Sequence, residues 1–285
     1  ITAAANYLHF TQPTLSRQLK DLEEELGQTL LIRKSHRVTL TPEGMLLRKR
    51  AEEIIAMVDK TQSEFVSLGN TVSGNVYIGG GETRVMKEIA TVIRDIQTAF
   101  PAIHFHLYSG NAQDVTERLD KGLLDFGVLI QPADLSRYQS LQLKGKDQWG
   151  VLMPKDSPLA AKKAIKKEDL LDLPLICSRQ AIRRHINGNA FSHWFGEDFE
   201  RLNIVSTFNL IYNAALLVEA GAGYAISLDG LTDTSRDSTL CFRPLSPRLE
   251  SRLAIVWKKD QVFSPAAQLF LDRITDLYQS GSTDS

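Results

Sequence analysis

Leu15, Leu19, Leu22 and Leu26 recur at intervals of four, three and four residues, the spacing that lines one face of an α-helix. Thr11 is placed to cap that helix, Pro13 falls in its first turn, where a missing N–H costs nothing, and Gly27 stops it. Counted at about 100° per residue, Pro13, Ser16, Arg17 and Lys20 gather on a different face. Upstream, the Ala-rich run Thr2 to Leu8 predicts a short helix, separated from the longer one by a three-residue turn. Downstream, Leu30 to Arg33 and Val38 to Leu40 read as strands around the basic turn Lys34-Ser35-His36-Arg37. Two helices joined by a tight turn and followed by a basic hairpin make a winged helix-turn-helix layout. A solvated Ser/Arg/Lys face on an ordinary helix pair is the plainer reading of the same pattern.

From Pro42 to about Leu68 the helical pattern runs on, with Leu47, Ala51, Ile54, Val58, Thr61, Phe65 and Leu68 alternating four and three apart. This seven-residue period suits a coiled-coil seam between two chains, or a helix lying on the chain's own core. Gly69-Asn70-Thr71 and Ser73-Gly74 end it.

Beyond Gly74 strand-like and helical runs alternate, which predicts an α/β sheet of largely parallel strands. Strands are expected at 76–78, 103–108, 125–130, 148–153, 174–177, 204–207, 224–227 and 252–257. Helices are expected at 84–100, 113–121, 183–195, 210–220 and 266–277. Two such lobes joined by crossover strands enclose a cleft, the usual place for a ligand.

Composition changes this picture little. The 285 residues are 43% hydrophobic and 24% charged, ordinary for a soluble globular protein. No run approaches the roughly 18 apolar residues of a membrane span, and no secretory signal opens the chain, so no membrane partner and a cytoplasmic location are expected. Cys177 and Cys241 are far apart and fit reduced thiols rather than a disulfide framework, a redox-sensing pair being the alternative. A formal net charge of −1 does not announce a nucleic-acid binder. Within the first fifty residues, however, basic side chains (Arg17, Lys20, Arg33, Lys34, Arg37, Arg48, Lys49, Arg50) outnumber acidic ones, as phosphate binding requires.

The run Ala4-Ala5-x-x-Leu8-x-x-Thr11-Gln12-Pro13-Thr14-Leu15-Ser16-Arg17-Gln18-Leu19, then Leu22-Glu23-x-x-Leu26-Gly27-x-x-Leu30 and Arg33, resembles the N-terminal signature of the LysR-type transcriptional regulators. Thr41-Pro42-Glu43-Gly44 is similar to the family's Thr-x-x-Gly element. Leu31 stands where the family often has Phe, and the family's first helix would precede Ile1. The resemblance is dense over about forty residues and holds beyond them as pattern, as in Leu123 to Val128, Pro154 to Ala160 and Val218 to Ile226.

The resemblance implies an α+β multidomain chain. A partial winged helix-turn-helix would span 1–40, a long linker and dimerisation helix 41–70, and a two-lobed α/β effector domain 71–285. That domain would be similar to periplasmic binding proteins, with lobe I at about 74–149 plus 250–285 and lobe II at about 150–249. The recognition helix would enter the major groove. Gln12, Pro13, Thr14, Ser16 and Arg17 lie at its N-terminal and outer positions, with Arg17 and Gln12 the candidates for base edges. Thr11, Ser16, Lys20, Arg33, Arg37 and Thr41 suit phosphate contacts. The expected partners are double-stranded DNA, a small-molecule effector, further copies of the chain as a homodimer or homotetramer, and RNA polymerase; no cofactor is expected.

Effector residues should lie at carboxyl ends of strands and the following helix N-termini: Glu82, Thr83, Ser109, Asn111, Ser178, Arg179, Asn209 and Ser227. Capping is the commoner use of Ser, Thr and Asn at such places. Arg179 would favour a carboxylate-bearing effector, and Glu82 argues the other way if it faces the cleft. Gly79-Gly80-Gly81 lacks a phosphate-loop context and suggests close backbone approach at the lobe interface. No GxSxG, HExxH or CxxC motif points to an enzyme, and His104 and His106 fit exposed positions of a half-buried strand better than a metal site. A solute-binding protein without DNA-binding function is the remaining alternative.

Overall fold

The structure, a computed structural model, describes residues 1–34, 37–66, 73–182 and 190–279. The wing tip Ser35-His36, the predicted linker residues Gly69 to Thr71 with Leu68 of the seam, and the first half of the helix expected at 183–195 lie outside the described residues. The chain divides into two compact units, Ile1–Gln62 and Ser63–Ser285.

In the first unit α1 (Thr2–Tyr7) precedes α2 (Gln12–Leu26). The Thr11 hydroxyl accepts from Thr14 N–H at 3.4 Å, and Gly27, at φ 63°, closes the helix with its N–H on the carbonyls of Glu23 and Glu24. That left-handed residue is where glycine costs least. The strands β1 (Leu31–Lys34) and β2 (Arg37–Leu40) pair antiparallel, Leu31 opposite Leu40. Glu23 joins helix to wing: its Oε1 accepts from the N–H groups of Leu30 (2.7 Å) and Leu31 (3.0 Å). Those two bonds, with Arg33 alongside, hold its pKa below the ordinary value. The long helix α3 (Pro42–Val66) follows. Its predicted seam is uneven: Leu47 and Ala51 are half-buried, whereas Ile54, Val58 and Phe65 are exposed.

The second unit is built on a nine-stranded sheet ordered β4-β3-β5-β11-β6-β9-β7-β8, with β10 also on β6. In the first lobe β3 (Gly74–Gly80) lies parallel to β4 (Ile103–Ser109) and β5 (Phe126–Ile130). Helices α4 (Met86–Ala99) and α8 (Pro265–Gln279) bury Ile89, Ile96, Phe270 and Ile274 with Val76, Ile78 and Phe126 of the sheet. The other face receives Val115 and Leu119 of α5 (Ala112–Asp120). In the second lobe β7 (Leu175–Ser178) lies parallel to β8 (Ile204–Phe208) and β9 (Tyr224–Leu228). Ile211, Ala214 and Val218 of α7 (Ile211–Glu219) pack on Leu152 and Ile176, while Phe191 and Phe195 of α6 (Ala190–Phe195) pack with Val151 and Met153. Alternate residues of one strand thus feed two cores, as a sheet covered on both faces demands.

The lobes are joined by β6 (Tyr138–Pro154) and β11 (Glu250–Lys258). The first part of β6 pairs antiparallel with β11, and its last residues pair with β9 and with β10 (Leu240–Pro244). Three features depart from expectation. β6 is 17 residues long rather than six, β10 was not anticipated, and β11 runs antiparallel to β5. The early part of β6 hides in sequence because Ser140, Gln142, Lys144 and Lys146 alternate outward against Leu141, Leu143 and Asp147. The glycine run also packs differently. A Cβ at Gly79 would come within 2.4 Å of Leu124 and 3.2 Å of Val115, so the close approach is to its own lobe.

Candidate functional site

Two sites emerge, one in each unit. In the first, Thr11, Gln12, Pro13, Thr14, Arg17 and Lys20 are exposed along the start and outer face of α2, and Ser16 is half-buried beside them. Arg33 of the wing is held against this face, its guanidinium donating to Ser16 Oγ at 3.2 Å and lying 3.7 Å from Glu23 Oε2. Thr11 and Thr14 share a hydroxyl bond of 2.7 Å, and Lys20 pairs with Glu24 at 3.2 Å. Gln12, Arg17 and Arg37 are exposed, and their side chains make no hydrogen bond or ion pair among the described residues. A helix start carrying an unengaged Gln and Arg, flanked by cations on wing and helix, has the donors needed for base edges and phosphates.

Thr41 corrects the sequence reading. It is 9% exposed, its hydroxyl donates to the Thr29 carbonyl (2.7 Å) and accepts from Gly44 N–H (2.9 Å). It caps the start of α3 and is not available to a phosphate. Gly44 is required beside it, because a Cβ there would stand 2.2 Å from the Leu30 carbonyl oxygen.

In the second unit a cleft opens between the lobes, with about 750 Å³ of protein-free space, part of it open to solvent. Of the eight expected effector residues, Glu82, Asn111, Ser178, Asn209 and Ser227 line it. Thr83, Ser109 and Arg179 do not. Thr83 is buried and its hydroxyl accepts from Val85 N–H at 3.0 Å. Ser109 is exposed at the end of the edge strand β4. Arg179 is exposed, with Ser178 and Gln180 on either side of it lining the cleft. The carboxylate expectation rested on Arg179 facing the cleft, and loses that support.

The sequence reading missed the cleft's aromatic wall of Trp149, Phe191 and Phe208, and also Gln180 and Ser251. Trp149 lies 5.4 Å from Phe191, tilted 49°, and donates its indole N–H to Ser251 Oγ at 2.9 Å. Several polar groups are already engaged. Asn111 Oδ1 caps α5, accepting from Gln113 and Asp114, and Asn209 Oδ1 accepts from Leu210 N–H.

Three contacts tie the lobes across the cleft. The Ile211 N–H at the start of α7 donates to Glu82 Oε2 at 2.6 Å. Arg84 pairs with Asp229 at 2.8 Å, its stem so close to Gly230 that a Cβ there would lie 2.4 Å away. Gln180 accepts from Ala112 N–H at 3.2 Å and donates to the Ile130 carbonyl at 3.4 Å. Beneath them, on the joining strand β6, Asp147 is 2% exposed and neither carboxyl oxygen closes a hydrogen bond. Burial raises its pKa, and the nearby Thr83 hydroxyl and Arg84 N–H offset only part of that.

Neither cysteine suits redox chemistry. Both are buried, and desolvation pushes the Cys177 thiol up to about 12 and raises Cys241. His104 and His106 are exposed on β4, His106 bonding Asn75 Oδ1 at 3.0 Å and stacking on Tyr77 at 4.7 Å. Among the described residues no helix is long and apolar enough to cross a membrane.

Comparison with known proteins agrees with this division. The family profile described as "Bacterial regulatory helix-turn-helix protein, lysR family" matches residues 1–45, and "LysR substrate binding domain" matches 69–279. The HTH-type transcriptional regulator BsdA of Bacillus subtilis is 28% identical over 282 residues, 95% of this chain and 93% of that protein. The probable RuBisCO transcriptional regulator of Phaeodactylum tricornutum is 27% identical over 228 residues, 79% of this chain and 74% of that protein. In fold, the crystal structure of full-length CbnR complexed with its target DNA matches with a TM-score of 0.71 at 19% identity, covering 96% of this chain and 93% of that one.

Proposed function

This chain belongs to the LysR family of transcriptional regulators, pairing a DNA-binding helix-turn-helix with an effector-binding domain, and from that premise we propose how its own residues divide the work. Arg17 and Gln12 read base edges in the major groove, since Arg suits guanine and Gln suits adenine in bidentate geometry. Thr11, Ser16, Lys20, Arg33 and Arg37 hold phosphates and set the register. The observation that carries this assignment is the unengaged, exposed state of Gln12 and Arg17 at the α2 start, beside cations that are anchored.

Exposed Ile54, Val58 and Phe65 on α3 are best covered by the same helix of a second copy, giving a homodimer, or a homotetramer where two such dimers pair. A dimer reads a two-fold-symmetric site, with half-sites about one DNA turn apart or a multiple of it. The effector sits in the interlobe cleft. It acts by favouring one lobe arrangement over another, and only a difference in affinity between the two shifts the balance. Glu82, Arg84 and Gln180 hold the closed arrangement. Such a regulator works in the cytoplasm and alters RNA polymerase recruitment at its promoters. DNase footprinting of the promoters flanking the gene tests this reading. Two protected half-sites in register are expected; one unpaired half-site or no protection contradicts it.

A further inference from the structure

A second cavity lies in the second lobe, away from the interlobe cleft. It opens between the turn that follows β6, within 155–161, and the loop running into β10, within 234–243. It holds about 1020 Å³ of protein-free space, part of it open to solvent. Both stretches lie wholly within the described residues. Trp149 lines the cleft and Lys155 lines this cavity. The six extended residues between them span roughly 20 Å at about 3.3 Å each, so a small molecule in the cleft does not reach it.

Three cations line the cavity: Lys155, Arg236 and Arg243. Two are fixed in place by neutral groups. The Lys155 ammonium donates to the carbonyls of Ser235 and Arg236, each at 2.7 Å. The half-buried Arg243 guanidinium donates to the Ala160 carbonyl from Nε (3.0 Å) and Nη2 (2.7 Å), and to the Phe242 carbonyl from Nη1 (2.9 Å). An ammonium has three N–H donors and a guanidinium five, so one and two respectively are left over. The exposed Arg236 side chain makes no hydrogen bond or ion pair among the described residues. Carbonyls orient these heads without cancelling their charge, and a ligand need not order them.

No carboxylate lines the cavity among the described residues. Asp156, Asp233 and Asp237 flank it in sequence and are exposed, and Asp233 accepts the Ser235 N–H at 2.9 Å. None of the three cations forms a salt bridge among the described residues. Their fields converge on Cys241, whose thiol is raised by burial and pulled back by Arg243 and Lys155.

We propose that this cavity is a second ligand site, separate from the effector cleft, which binds a phosphate dianion, free or as a small monoester. One carboxylate balances one of the three charges. A phosphate monoester carries about −1.5 to −2 at pH 7 and three terminal oxygens, and a guanidinium fork matches phosphate oxygens in pairs. The Thr234 hydroxyl adds a donor, and Ala160 and Ala161 give an organic remainder apolar surface.

The test is calorimetric titration of the full-length protein with glycerol 3-phosphate, inorganic phosphate and glycerate, the last carrying a carboxylate at similar size. Arg236→Glu and Lys87→Glu are titrated alongside, their folds verified by unchanged melting temperatures. Lys87 is exposed on α4 in the other lobe, so its reversal alters net charge equally without touching the cavity. A phosphate compound is expected to bind at least about tenfold tighter than glycerate, and Arg236→Glu to weaken it at least about tenfold. Lys87→Glu should leave it within about twofold. Tighter glycerol 3-phosphate assigns the site to a monoester, and equal or tighter inorganic phosphate assigns it to the free ion; either upholds the phosphate class. Glycerate binding as tightly, binding of none, or equal losses in the two variants overturns the proposal. Weaker promoter binding by Arg236→Glu without phosphate binding marks a DNA contact instead and overturns it as well.

Discussion

Substituting Gly44 by Ala should destabilise the DNA-binding unit, although helix propensity alone predicts the opposite. Gly44 lies near the start of α3, where Ala is worth about 1 kcal/mol more than Gly. The added Cβ, however, would stand 2.2 Å from the Leu30 carbonyl oxygen, 3.1 Å from its carbon and 3.2 Å from Leu40 Cδ2. Leu30 has little freedom to yield. Its oxygen accepts from Thr41 N–H at 3.0 Å, its N–H donates to Glu23 at 2.7 Å, and its side chain is 4% exposed. Overpacking of this kind costs about 1–3 kcal/mol, and a pinned backbone atom places it in the upper half. The net loss is therefore about 1–2 kcal/mol, which in a unit this small lowers Tm by roughly 4–8 °C per kcal/mol. Gly27→Ala is the control. It has no neighbour within 4 Å but a φ of 63°, so it bears only the left-handed backbone cost of about 1–2 kcal/mol. Thr41→Val, which removes the cap on Gly44, should cost about 0.5–2 kcal/mol and should not add fully to Gly44→Ala, because the two residues share one bond. Thermal melts, with amide exchange to localise the change, measure all three. A Gly44→Ala protein as stable as its parent or more so, with protection at Leu30 and Thr41 unchanged, would refute the reasoning.

Three further outcomes are expected. Arg17→Ala should weaken binding to the cognate site by about 1–3 kcal/mol while sparing random DNA, whereas Lys20→Ala should weaken both and reduce the salt slope by about one; fluorescence anisotropy against both DNAs distinguishes them, and equal loss for Arg17→Ala would make it a phosphate contact. Replacing exposed Ile54 and Phe65 by Asp should shift the protein towards monomer in sedimentation velocity, and an unchanged assembly would remove α3 from the dimer contact. Asp147→Asn should raise stability by about 1 kcal/mol at neutral pH. Because burial raises the folded pKa of Asp147, its ionisation detracts from stability as pH climbs through that value, so the advantage of Asn should fade towards acid pH; melts at pH 4 and 7.5 showing a constant difference would contradict it.

The head was legible because each of its signals is local. Thr11, Pro13, Gly27 and the Leu15–Leu19–Leu22 stripe act within a few residues of chain, and α2 begins and ends where they direct. Thr41 misled because its role is set by the Thr29 carbonyl twelve residues upstream. In the second unit the rule of strand ends placed Glu82, Asn111, Ser178, Asn209 and Ser227 on the cleft. It failed at Arg179, where Ser178 and Gln180 on either side face the cleft and Arg179 does not. The aromatic wall was not legible at all. Trp149 lies on the joining strand, Phe191 on a helix and Phe208 at a strand end, and no spacing in the chain announces that folding brings them together.

The central claim is that this chain selects its DNA by sequence and is tuned by a ligand between its lobes. Its most direct test is the affinity of the full-length gene product for promoter DNA from beside its gene and for scrambled DNA of equal length, at 50 and 200 mM salt. The account predicts promoter affinity at least about a thousandfold above scrambled, with both falling steeply as salt rises. Equal affinity for the two DNAs at both salts would contradict it.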